Sequence, residues 1–290
     1  MSEQLKLGYI GLGNQGAPMA RRLVDWPGGL IVYDVRLDAM TPLAESGASL
    51  ADSVADVAAA DVISVTVLND EQVRDVVAGE KGLARYAKPG TVIAIHSTIS
   101  DTTADELSRQ LEPEGIHIVD APVSGGAGAA EKGELAVMVG ADDIAFAKVK
   151  PVFEKWATLI VHAGRPGAGT RMKLARNMLT FTGFAAVCEA QRLAEASGIN
   201  LQDLGKVVRH SDKLSGGPGA IMFRDDMKPL TPEHFLHDMF VHTRGLGEKD
   251  LGLAIALGNA TGVELPLAEV ALRNLAEGLG VPHPASGTEE

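Results

Sequence analysis

The 290-residue chain has one cysteine, few aromatics, no long apolar run and no excess of basic residues. A lone Cys188 excludes an internal disulfide, and its place in an apolar helical stretch makes it a core residue rather than a nucleophile. With 4% aromatics, there is too little material for the stacking platforms that bind single-stranded nucleic acid. Acids outnumber bases 38 to 26, for a net charge of -12, which excludes a polyanion-binding surface and nucleic acid as partner. A small anionic ligand would need a local basic site. No segment approaches the roughly 20 apolar residues of a membrane span, and "MSEQLKLGYIG" lacks a basic stretch followed by an apolar run. These absences imply a soluble, cytoplasmic protein with no membrane partner.

What is present is ordinary globular composition, 46% hydrophobic and 22% charged, at a length suited to two domains. From residue 5 to 164, β-rich runs alternate with helical stretches: "LKLGYIG", "LIVYD", "DVISVTVL", "TVIAIHST", "IHIVDAPV", "ELAVMVG" and "TLIVHAG". Most runs are continuously apolar, as strands covered on both faces are. The stretches between them, such as "DEQVRDVVAG", "DTTADELSRQL" and "DDIAFAKVKPVFEKW", open on aspartates suited to capping. This alternation predicts an α/β fold with a doubly wound, mostly parallel sheet over 1–164. After Gly169 the strand signal stops, and 165–290 reads as an all-α domain joined through a long helix. The final "HPASGTEE" reads as a frayed tail.

The first strand runs into "GLGNQG", which sets Gly11, Gly13 and Gly16 in G-x-G-x-x-G spacing before a helix. After a strand and before a helix, this spacing is the Rossmann dinucleotide fingerprint, with the loop backbone approaching the pyrophosphate. Leu12 and Asn14 complete the loop. Asp34 follows the second strand, 21 residues beyond Gly13. A carboxylate there either binds the adenosine ribose and favours NAD over NADP, or caps the turn before the next helix. Arg36, two residues on, keeps NADP as an alternative.

Two further stretches carry unusual residues. In "DAPVSGGAGAAEKGELAVMVG", Ser124, Gly125 and Gly126 form either a nest of N–H groups suited to a carboxylate or a plain turn. "GAGTRMKLARNM" starts the long helix. At about 100° per residue, Lys173, Arg176, Asn177 and Thr180 share one face. Farther on the helix becomes apolar all round, the pattern of a buried helix or of one covered in a homodimer or homotetramer. Lys173 either snorkels from a partly exposed first turn or serves chemistry. His234 and His237 have a spacing compatible with metal binding but no accompanying cluster, so no metal is expected.

With four motifs in order, "GYIGLGNQGAPMA", "DAPVSGGAGAAEKGEL", "GAGTRMKLARNM" and "KDLGLA" preceded by Phe240, the chain resembles the β-hydroxyacid dehydrogenase family, the 3-hydroxyisobutyrate dehydrogenase group. The resemblance implies NAD-dependent oxidation of a short β-hydroxy acid, first of all 3-hydroxyisobutyrate, to its semialdehyde. Lys173 is then the catalytic acid/base, Asn177 holds the substrate, and Ser124, Gly125 and Gly126 bind its carboxylate. Leu68, Ser97 and Thr98 join the cofactor set of Gly11, Leu12, Gly13, Asn14, Gly16 and Asp34, and Lys249 closes the site on substrate and cofactor. Alternatives within the family are serine or 3-hydroxypropionate oxidation and reduction of tartronate or succinate semialdehyde. Imine reductases and non-catalytic cofactor-binding modules resemble the same scaffold but tend to lack the lysine. The chain departs from the family pattern at Arg176, where asparagine is common, and at Ala129, where glycine is frequent.

Overall fold

The structure, a computed structural model, describes residues 4–284; most of the tail read as frayed lies outside them. The chain divides into two compact units, Met1–Met178 and Leu179–Glu290. The first holds β1 (Leu7–Ile10), α1 (Gly16–Arg21), β2 (Leu30–Tyr33), α2 (Leu37–Glu45), β3 (Ser49–Leu50), α3 (Val54–Val57), β4 (Val62–Val65) and α4 (Asp70–Ala78). It continues with β5 (Val92–Ile95), α5 (Thr103–Leu111), β6 (His117–Asp120), β7 (Val123–Ser124), α6 (Gly126–Lys132), β8 (Leu135–Gly140), α7 (Asp143–Phe153) and β9 (Ala157–Gly164). The helix α8 (Ala168–Ala196) begins in this unit and ends in the second, followed there by α9 (Leu201–Ser215), α10 (His237–Thr261) and α11 (Pro266–Gly278).

The strands form one sheet in the order β3-β2-β1-β4-β5-β6-β8-β7, with β9 against β8. From β3 to β6 every pair is parallel, whereas β8 runs antiparallel to β6 and β7. Chain order reverses between β1 and β4, the switch point beside which open α/β sheets bind ligands. Both faces are covered because the strands send apolar side chains both ways. Tyr9, Val62, Val92, Ala94 and Val119 pack with Met19, Ala130, Val149 and Phe153 on one face. Ile10, Ile63, Ile93, Ile95 and Ile118 pack with Val57, Val73, Val77 and Leu107 on the other.

Caps only partly follow the expected aspartates. Asp142 does cap α7, accepting from the Ala145 N–H. At α4 the cap is Asn69, which accepts from the Gln72 N–H. No side chain caps α5; Asp70 instead accepts from the Ser100 N–H ahead of that helix. In the second unit a small core forms around Leu236, Phe240, Leu279 and Val281. Many other apolar side chains there are exposed, Phe181 at 63% and Phe184 at 61% among them. Cys188 is also exposed, which corrects its reading as a core residue. No helix among the described residues is long and apolar enough to cross a membrane.

Candidate active site

Parallel register brings four strand ends level. Ile10 pairs with Val65, Val65 with Ile95 and Ile95 with Asp120. The segments that follow, beginning at Gly11, Thr66, His96 and Ala121, therefore share one edge of the sheet. Gly11 has a φ of +90°, and a Cβ there would overlap the Thr66 carbonyl. No other residue closes this turn without moving β4. A Cβ on Gly13, by contrast, would meet open space. The second glycine is thus dispensable to the protein's own packing, as expected where a pyrophosphate approaches the backbone.

Asp34 binds the loop from β2. Its carboxylate accepts the Leu12 N–H at 2.7 Å and the Arg36 N–H at 2.9 Å. The Arg36 guanidinium lies 3.7 Å away. Two N–H bonds leave a carboxylate further lone pairs, so Asp34 can hold its turn and still accept from a ribose. Ser97 is buried, donating to the Val67 carbonyl at 2.6 Å and accepting from the Val67 N–H at 2.9 Å. Thr98 and Leu68 are exposed at the same edge, as is Asn14.

Beneath this edge lies a network that composition and motifs did not disclose. His96 is fully enclosed, with Nδ1 2.8 Å from the Ala121 carbonyl and Nε2 3.0 Å from Ser64 Oγ. A carbonyl only accepts, so Nδ1 carries the proton and Nε2 accepts from Ser64. Burial among Tyr9, Phe153 and Trp156 lowers its pKa to about 4. The Tyr9 hydroxyl pairs with Thr66 Oγ1 at 2.9 Å. Buried polar groups in runs covered on both faces need partners, and that rule could have flagged His96 and Asp120 from sequence.

The structure decides between the two readings of Lys173. Lys173 is only 8% exposed, while Leu174 and Met178 on the opposite side face outward. Of the polar stripe of α8, Lys173 is buried, Asn177 and Thr180 are half-buried and Arg176 is exposed; the burial of the lysine overturns the snorkelling reading. Its Nζ donates to the Val123 carbonyl at 2.6 Å, 50 residues back in sequence and next to Ser124. Burial, and then the neighbouring Arg176 charge, lowers its pKa. One turn on, Asn177 Oδ1 accepts from the Arg176 guanidinium at 3.3 Å. Ser124 ends β7, and Gly125 and Gly126 follow at φ +135° and +73°, entering α6.

Lysine, asparagine and the "SGG" segment are therefore gathered in the first unit. Lys249 lies on α10 of the second unit, exposed and paired with Asp250 at 2.9 Å. His234 accepts from the Leu236 N–H, and His237 pairs with Asp238. Among the described residues, no group of three His, Cys, Asp or Glu is placed to hold a metal.

Residues 6–164 match the NAD-binding domain family of 6-phosphogluconate dehydrogenase, and 167–281 match the NAD-binding family of NADP-dependent 3-hydroxyisobutyrate dehydrogenase. An uncharacterised oxidoreductase of Mycobacterium tuberculosis is 66% identical over 97% of this chain and 96% of its own length. The chain belongs to the β-hydroxyacid dehydrogenase family. It is an NAD(P)-dependent dehydrogenase acting on CH–OH groups. A Mycobacterium avium protein of known structure, described no more closely than as a candidate oxidoreductase, is 69% identical with a TM-score of 0.92, covering 97% of this dehydrogenase and 100% of that chain. The M. tuberculosis 3-hydroxyisobutyrate dehydrogenase, solved with L-serine, is 32% identical with a TM-score of 0.67, covering 94% and 93% of the two chains.

Proposed function

We propose that this dehydrogenase oxidises 3-hydroxyisobutyrate to its semialdehyde with Lys173 as general base. The observation that carries the reading is a buried lysine whose Nζ is tied to the Val123 carbonyl, one residue from Ser124. Ser124 and the N–H groups of Gly125 and Gly126 take the substrate carboxylate, and Asn177 holds the hydroxyl beside Lys173. A lysine with a lowered pKa is neutral for more of the working range, so Nζ can accept the hydroxyl proton. When bound, NAD supplies the acceptor for the hydride that leaves the carbinol carbon. The Gly11–Gly16 loop, with Asp34, Leu68, Ser97 and Thr98, holds that cofactor, and Asp34 favours NAD over NADP.

The exposed apolar side chains of the second unit support a homodimer or homotetramer in which another copy covers them.

Initial rates with NAD and NADP across a panel of short hydroxy acids test the reading, with Lys173→Ala run in parallel. Turnover should be fastest with 3-hydroxyisobutyrate and NAD, and fall by about a hundredfold or more in the variant while NADH binding persists. Turnover in Lys173→Ala equal to the parent's, or a loss of activity explained by lost NADH binding, would refute the assigned role.

A further inference from the structure

Asp120 closes β6, opposite Gly140 of β8, and is wholly buried. Its Oδ1 accepts the Gly167 N–H at 2.7 Å and its Oδ2 the Thr170 N–H at 2.6 Å. These two residues bracket the start of α8. Each carboxylate oxygen receives one N–H, so the ionised form is satisfied without a proton, and its charge meets the positive end of the helix. Burial holds the Asp120 pKa above the usual carboxylate value, with the Thr170 and Gly167 N–H groups pulling against it. Lys173 lies three residues past Thr170 on the same helix face, and its Nζ reaches the carbonyl of Val123, three residues past Asp120. The stretch from Asp120 to Val123 thus holds the first two turns of α8 at two points. The seat has no slack, because a Cβ on Gly140 would overlap Asp120 Oδ1.

We propose that Asp120 is a positioning residue for the reaction: its carboxylate fixes how α8 meets β6 and thereby holds Lys173 Nζ in its buried place against the Val123 carbonyl. The proposal rests on the reading of Lys173 as general base. Without this anchor the helix start slips, the ammonium regains water and the lysine returns toward its ordinary pKa. Displacements of this size slow a reaction without removing any reacting group.

Two substitutions test it from opposite sides. Asp120→Asn keeps the shape but presents one oxygen and one NH2 group to two converging N–H donors. Gly140→Ala keeps the carboxylate and pushes it aside. Full-length protein is assayed for kcat, KM, the pH dependence of kcat and NADH binding, with Lys173→Ala alongside. We expect kcat to fall about ten- to a hundredfold in both variants, its rise with pH to move to higher pH, and NADH affinity to hold. A fall in kcat without movement of the pH profile, or failure of both variants to fold, would make Asp120 a stabilising residue only and overturn the proposal. An inactive Lys173→Ala beside unaltered Asp120→Asn and Gly140→Ala would overturn this proposal alone. Full turnover in Lys173→Ala would sink the base reading and this proposal with it.

Discussion

His96 couples the stability of the sheet unit to pH. Its folded pKa of about 4 lies below the usual histidine value of 6.5, so on acidification the unfolded chain takes up this proton first. The stability held above pH 6.5 is therefore lost as pH falls toward 4, by up to about 3 kcal/mol for a shift of this size. Both tryptophans, Trp26 and Trp156, belong to this unit, and their fluorescence follows its unfolding in urea. Between pH 7 and 4, His96→Gln should start from lower stability but lose less of it than the parent. Equal losses in the two proteins would remove His96 from the acid limb. The same buried ring ties the carbonyl of Ala121, one residue past Asp120, to the Ser64 hydroxyl of β4.

Among the helices, α11 shows how a cap can come from far away. Leu265 at its N-terminus offers no side-chain cap. The Glu189 carboxylate of α8, 6% exposed, accepts instead from the Leu267 N–H at 2.9 Å and the Ala268 N–H at 3.3 Å. Glu189→Ala should cost roughly 1–3 kcal/mol by stranding those donors, and Glu189→Gln less, because its oxygen still accepts. Thermal unfolding of the two variants distinguishes a cap from an idle surface charge, for which neither would matter. Elements of this kind differ in how far sequence discloses them. Seven strands were legible as apolar runs, since a strand buried on both faces has little other pattern available. The two-residue β3 and β7 were not, and the reversed direction of β8 leaves no trace in "ELAVMVG". The Gly11–Gly16 loop and the long helix stood out because backbone geometry demands particular residues there. Whether Lys173 faced in or out depended on a carbonyl 50 residues away, which a helical wheel does not contain. The need of Asp120 for partners can be read from sequence but not their identity, since they are backbone N–H groups of another element.

For the whole molecule, the core cluster around Phe240 is small beside the apolar surface that the described residues of the helical unit leave open. If a second copy covers that surface, light scattering should give two or four times the 30.3 kDa chain mass. The melting temperature should also rise with protein concentration. Phe184→Glu should reduce the mass and lower that temperature, and a monomeric parent at micromolar concentration would refute the assembly. The two ends of α8 are under different constraints. Its first turn answers to the strand segment from Asp120 to Val123, whereas its later turns answer to whatever lies against them. Relatives of this enzyme can therefore exchange residues in the outer stretch without displacing the lysine. Substitutions near Thr170 have no such freedom, so a single helix should record two separate rates of divergence.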